Sequence, residues 1–480
     1  MRGYQYLQYF KIEAVSLTHS KKFLSNLPSV PVPTERLSLK TKFMWTFAIL
    51  LLFIVMSFIP LFGVSKAYSL NFEILQVLIA SHFGSLLSLG IGPIVSASII
   101  IQMLQGTDII HIDTSTKEGR ILFQGIQKVA AISFIAIENG AYVFSGALRP
   151  AAPGLSLPLI MFVQLVLAGI ILMFMDEVVS KWGIGSGISL FILAGIALQL
   201  FNTTLNPFIS PLGAIPAVIT SFIAGVPLDA LFPIVALIST VALFAVSIWL
   251  QGVKVELPLS FGRLRGYSIR WPVALFYTSI IPIVLVVSIV AGVQFFGLTL
   301  FNSGNTLLGT FQTQSTLFGV QKVPVSGLAA LLAPPTIQQL YVSATTTGIT
   351  ALQVESMVTY TLILVIGAAI FSYMWMYLGG QDPKSVAKQL MDSGLSMPGF
   401  RRDERVLTDI FKRYIIPLAI VGGAITGLVA ALATFLDTLT AGVGILLVVM
   451  IIYQFYSSLM QENADEFRPI KDKLVGESME

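Results

Sequence analysis

A 480-residue chain with 55% apolar and only 11% charged side chains is not a string of soluble domains, since soluble proteins carry about 25% charged residues. The mean hydropathy of +0.85 and apolar blocks of bilayer length define a polytopic membrane protein. With no cysteine and only His19, His82 and His111, the chain excludes disulfides, thiolate chemistry and Cys- or His-based metal centres.

Residues 1–42 are polar and repeatedly charged, so no cleavable signal peptide is expected and the first span is expected to target the chain to the membrane. Spanning helices of about 20 apolar residues are predicted at 43–63, 77–104, 121–146, 156–175 and 185–201. Five more follow at 231–250, 273–297, 350–378, 414–436 and 440–460. The predicted fold class is therefore an all-α polytopic membrane protein with ten transmembrane helices. The stretch 205–229 reads as a re-entrant or surface helix, and 463–480 as a polar tail.

Basic residues orient this set. Of 28 Lys and Arg, 25 fall in one alternating group of segments, and only Lys66, Arg149 and Lys322 fall in the other. Both termini are thus expected in the cytoplasm. Two long basic loops follow spans six and eight, at 251–272 and 379–413. They express the ordinary bias of cytoplasmic loops or offer a docking surface to a polyanion such as ribosomal RNA. The external stretch 298–349 is rich in Ser, Thr, Gln, Asn and Gly, and reads as a cap or a disordered loop.

Signals of soluble enzymes are missing: there is no P-loop, H-E-x-x-H or G-x-S-x-G. Gly183–Gly187 lacks dinucleotide-loop spacing. Charges inside or beside the spans are few, namely Glu138, Glu355 and Asp437. Glu138 reads as a structural, hydrogen-bonded carboxylate rather than a proton relay. Such scarcity argues against an ion-coupled transporter, and the lack of a nucleophile–base pair argues against a membrane enzyme. Two segments break the helical pattern with small residues, Leu89–Ala97 and Lys181–Leu190. Their Gly and Ser let helices approach closely. Alternatively, Ile91 with Val95 and Ile188 with Ile192 share helix faces and form part of an apolar ring that seals a pore.

The strings LGIGPIVSASIIIQMLQG and KWGIGSGISLFI closely resemble the two signature segments of the SecY protein-translocation channel family. In the same order come LFQGIQK at 122–128, IPIVLVVSIVAGVQFFG at 281–297, DPKSVAKQL at 382–390, FKRYIIP at 411–417 and AGVGILLVV at 441–449. The resemblance runs from about Leu24 to Glu462 and is of the archaeal type; about 20 residues precede the family's usual start.

The resemblance implies two inverted, pseudo-symmetric halves, 43–204 and 205–462, around an hourglass pore. It implies a ring of Ile91, Val95, Ile188, Ile192, Val284 and Leu447, six aliphatic side chains that exclude ions while peptides slide through. It implies a plug at about 63–75, carrying Lys66, Tyr68 and Glu73. A lateral gate between spans two and seven would involve Ser88, Gln127, Gly292 and Gln294, with Gly292 where many relatives carry Asn. Lys254, Arg263, Arg265, Arg401 and Arg402 would dock the ribosome, including ribosomal RNA, and Arg120 would position a partner. The implied function is a passive channel of the cell membrane, not an enzyme and without cofactors. It would translocate unfolded secretory polypeptides and release transmembrane segments into lipid. Its implied partners are two small single-span subunits (of SecE/gamma and beta/SecG type), signal peptides, nascent chains and membrane lipids. Asn202-Thr203-Thr204 is a glycosylation sequon whose closeness to the membrane disfavours its use.

Overall fold

The structure, a computed structural model, describes residues 28–35, 37–64, 84–106, 109–110, 112, 116–144, 148, 150–207, 212–226, 228–261, 268–278, 281–302, 304–316, 319–346, 348–392, 395–396, 404–440 and 442–462. In chain order the first half holds α1 (Leu39–Phe58), α2 (Gly92–Gly106), α3 (Lys117–Phe144), α4 (Ser156–Trp182) and α5 (Gly187–Leu205). A short helix, α6 (Ala214–Ile223), precedes α7 (Leu231–Gly252), strands β1 (Lys254–Phe261) and β2 (Ser268–Ala274), and α8 (Ile281–Asn302). Then come β3 (Phe311–Thr316), β4 (Gly319–Pro324), α9 (Gly327–Leu331), α10 (Ile337–Thr346) and α11 (Ala351–Leu378). The chain continues through α12 (Pro383–Asp392), β5 (Leu395–Ser396), α13 (Glu404–Phe435) and α14 (Gly442–Glu462).

A helix stands at each of the ten predicted spans, which are α1–α5, α7, α8, α11, α13 and α14. Among the described residues nine helices are long and apolar enough to cross a membrane. Span two, at 15 residues, falls short. Its helix was expected to begin near residue 77, but residues 84–91 form turns and the helix starts at Gly92. Gly90 takes φ +45°, and Pro93 lacks an N–H and fits only a first turn. Span four departs in the other direction, running to Trp182 rather than ending at 175. The Glu177 and Lys181 charges there are paired, which lets the helix run on past them. Glu177 receives Lys128 at 2.9 Å and Lys181 at 2.6 Å.

The two halves repeat one packing scheme. Span two packs on three, three on four, four on five, and span one on both four and five. Span seven likewise packs on eight, eight on nine, nine on ten, and span six on both nine and ten. Five is an odd number, so the second half enters the membrane from the opposite side and is inverted. Each half has its own apolar core, one around Phe53, Ile91, Ile135, Leu172 and Phe191. The other surrounds Ile283, Val287, Leu364, Ala430 and Leu447 and takes in the buried Ile196 of span five, with Leu193 packed against it. Inside the second core, Gly423 and Gly427 of span nine lie so close to span eight that a Cβ would meet the Ala368 and Leu364 carbonyls at 2.6 and 2.3 Å. Small residues here replace the hydrophobic drive that lipid removes between helices.

The basic loops are not plain loops. β1 and β2 form a hairpin that pairs Lys254 with Ala274 and Ser260 with Ser268. β5, from the loop after span eight, adds to the same sheet through Ser260–Ser396 and Phe261–Leu395. Leu257 and Val273 of the hairpin bury against Val386 of α12 and Leu407, Phe411 and Ile415 of span nine. Trp271 meets Phe411 edge-on at 5.5 Å. The opposite stretch, 298–349, is a cap built from the β3–β4 hairpin, α9 and α10.

Candidate functional site

Four of the six residues expected to form the ring, Ile91, Val95, Ile188 and Ile192, sit in or beside the first turns of two helices preceded by glycines. Ile91 is fully buried and lies one residue before α2, where its carbonyl accepts the Val95 N–H at 3.0 Å. Val95, one turn on, is half-buried in the same core. Ile188 opens α5, and its N–H donates to Asp176 Oδ1 of span four at 2.9 Å; the Gly187 N–H uses the same carboxyl. Asp176 thus serves as the N-terminal cap of a helix that its own chain enters eleven residues later.

The segment Gly183–Gly187 is where three spans converge. A Cβ at Gly187 would lie 2.7 Å from both Asp176 Cα and Oδ1. At Gly183 it would lie 2.8 Å from Thr46 Oγ1 of span one, and that same oxygen accepts the Ile184 N–H at 3.1 Å. Gly185 has φ +67°, and a Cβ there would fall 2.2 Å from the Phe455 ring of span ten. Any larger residue would push spans one, four or ten away from Ile188. Thr46, Asp176 and Phe455 border the candidate site and carry no motif that singles them out in the sequence.

The six candidate ring residues divide between the two cores. Ile91, Val95 and Ile188 belong to the first, Val284 and Leu447 to the second, and Ile192 touches both. The seam between the halves therefore runs through these side chains. Aliphatic atoms offer water and ions no hydrogen bond, so such a seam repels both.

The residues expected at a gate have mixed surroundings. Ser88 is fully buried inside the turn before span two, where its hydroxyl donates to the Ser85 carbonyl and accepts the Gly84 N–H. Gln127 is half-buried on span three. Gly292 has open space beside it. Gln294 is turned to the cap, its amide donating to the Leu332 carbonyl at 2.8 Å. Between the halves on this side, span two touches span eight, where a Cβ at Gly106 would meet the Leu378 carbonyl at 2.1 Å. Farther out, Tyr142 of span three faces Phe295 of span seven with ring centroids 5.3 Å apart. Glu138, a turn before Tyr142, accepts a hydrogen bond from Ser96 of span two, in keeping with a structural carboxylate.

Of the expected docking residues, Lys254 is held by span ten. Its Nζ donates to Tyr453 Oη at 2.6 Å and lies 5.3 Å from that ring's centroid. Arg263, Arg265, Arg401 and Arg402 lie outside the described residues, as do the plug positions Lys66, Tyr68 and Glu73. The strands that carry the two arginine segments are neighbours, since Phe261 pairs with Leu395. Beneath them Tyr277 donates to the Gln381 carbonyl at 2.8 Å. Burial, reinforced by the Asp382 charge, pushes its phenol above the ordinary value. The described residues contain no group of His, Asp and Glu able to hold a metal ion.

A sequence profile of the SecY family matches residues 85–456. The protein translocase subunit SecY of Archaeoglobus fulgidus is 36% identical over 490 residues, covering 95% of this chain and 98% of the relative. That of Pyrococcus furiosus is 34% identical, covering 94% and 97%. A solved structure described as a protein conducting channel superposes with a TM-score of 0.74 at 34% identity, covering 93% of this chain and 98% of that one. Sec61 in a canine ribosome-channel complex from the endoplasmic reticulum superposes with a TM-score of 0.71 at 33% identity, covering the same shares. The chain belongs to the SecY family.

Proposed function

We propose that this chain is the central, pore-forming subunit of a Sec protein-conducting channel. It passes unfolded secretory polypeptides across the membrane and releases transmembrane segments into lipid between spans two and seven. The observation that carries this reading is the division of the six ring residues between two separate cores, with Ile192 common to both. A seal made where two bodies meet can widen for a peptide and close behind it. A seal buried within one core cannot.

The remaining assignments rest on the same reading. The protein resides in the cell membrane with both termini cytoplasmic, because 25 of its 28 basic residues lie on one side. The halves are 43–204 and 205–462, and residues 63–75 are the plug. Arg263, Arg265, Arg401 and Arg402 meet the ribosome, including its RNA, at the sheet shared by their loops. Two small single-span subunits cover exposed apolar flanks such as Phe43 and Phe47 on span one and Ile452 and Tyr456 on span ten. The channel catalyses no reaction, and translation or an external partner supplies the driving force.

The test is photocrosslinking of a stalled secretory chain to a probe placed in turn at Ile91, Ile188 and Val284. Crosslinks at all three positions are expected. Crosslinks confined to lipid-facing positions such as Val241 would overturn the channel reading.

A further inference from the structure

The connection between the halves, residues 206–230, carries a helix that none of the functions above uses. α6 starts after Gly213, whose N–H donates to the Asn206 carbonyl at 2.7 Å, and Pro216 fits its first turn without an N–H. It ends in a Schellman turn. Gly225 at φ +74° donates to the Phe222 carbonyl, and the Val226 N–H reaches the Ser221 carbonyl at 3.0 Å. The helix is therefore a closed unit of ten residues, about 15 Å long and too short to span.

One side of α6 packs on spans five and six, with Ala214 buried beside Ala236 and Leu439. Its other side carries Ile215, Ile219, Phe222 and Ile223, a single stripe at helical spacing. Phe222 is 59% exposed and Ile223 is 81% exposed. Val226, Leu228 and Leu231 continue the stripe onto the exposed flank of span six, through Ile238 and Val241. From Asn206 to Leu228 there is no charged residue. Water does not tolerate such a face. A protein interface would be expected to add Arg, Tyr or Trp to it, and residues 206–228 contain none of these.

We propose that α6 lies in the interfacial layer of the leaflet opposite the basic loops, with Ile219, Phe222 and Ile223 sunk among lipid acyl chains. The argument for lipid as the occupant is continuity, because the stripe leads into the exposed apolar flank of span six, with Asp229 the one charge between Asn206 and Val253. The two halves of the molecule are then joined through a segment held by the bilayer itself. Lipid packing in that leaflet bears on how far the halves part. This placement requires only the membrane embedding of spans five and six, so it stands or falls separately from the channel reading.

The chain has no cysteine, so single substitutions Ile219→Cys, Phe222→Cys and Ile223→Cys can each carry a unique nitroxide label. The full-length protein, with its co-purifying subunits, is reconstituted into diphytanoyl phosphatidylcholine vesicles. Power saturation then compares collisions with oxygen and with a water-soluble nickel chelate. Oxygen is expected to exceed nickel several-fold at all three sites, at depths of about 5–10 Å below the headgroup boundary. A label at Thr306→Cys, in an exposed turn of the cap, supplies the water-exposed standard. Nickel accessibility at the three sites equal to that of Thr306→Cys would overturn the proposal in favour of a water-facing helix. Exclusion of both reagents would overturn it in favour of a protein partner. Three independent sites keep the result readable if one variant fails to fold.

Discussion

Replacing Asp176 by Ala tests the argument that span four builds the start of span five. The carboxyl accepts the N–H groups of Gly187 and Ile188, and Gly187 is packed too closely for the turn to be remodelled around new partners. A buried N–H left without a partner costs about 1–3 kcal/mol, so losing both acceptors is expected to cost about 2–6 kcal/mol. Asp176→Asn keeps an oxygen at the same place and is expected to cost about 1 kcal/mol. Thermal unfolding of the purified complex, followed by tryptophan fluorescence, reads the stability. Conductance of the resting protein in a planar bilayer reads the ring, because Ile188 shifts when its N–H loses its anchor. The expected order for both readouts is wild type, then Asp176→Asn, then Asp176→Ala, with a wide gap before the last. Equal damage from Asn and Ala, or none from Ala, would refute the capping argument.

Further outcomes concern the ring, the loops and one acid. Ile91→Gly and Ile188→Gly remove aliphatic bulk from the seam and are expected to raise ion leakage through the closed protein; tight variants would mean the seal lies elsewhere. Arg263→Glu and Arg401→Glu are expected to weaken ribosome binding, with the loss greatest at low salt; unchanged affinity would remove the docking assignment. Asp437 lies in the turn between spans nine and ten, and burial raises its carboxyl from 3.8 to about 6. The folded chain then holds a proton that the unfolded chain has released in this window, so the stability tied to it is present at low pH and is lost as pH rises through about 6. Asp437→Asn is expected to flatten the fall in melting temperature between pH 4.5 and 7.5, and an unaltered pH profile would contradict that assignment.

The spans were legible because lipid leaves a strong mark: twenty apolar residues admit few other readings. Their ends were less so. Asp176 and Glu177 look like the edge of the membrane in sequence, yet Glu177 is neutralised by Lys128, a residue 49 positions earlier, and Asp176 caps a later helix. The β2–β1–β5 sheet is hidden in the sequence because its charged residues disguise an alternating pattern. Leu257 and Val273 point inward while Glu256 and Arg270 form an exposed ion pair at 3.1 Å. For the site, Ile91 and Ile188 stand out by local motif. Thr46 and Phe455 carry no such motif. Thr46 reaches Ile184 across 138 positions of sequence, and only the folded chain reveals that the glycines between them are contact points.

The sharing of the ring between two cores has a mechanical consequence. Most of each half's buried interior lies away from the constriction, so on the channel reading a passing peptide has little well-packed interior to dismantle. The work of dilation falls on the boundary, on Ile192, Leu193 and Ile196 of span five, on the crossing of spans five and ten and on the Tyr142–Phe295 contact. Substitutions along that boundary should retune how readily the molecule opens, whereas those deep in either half should alter whether it folds.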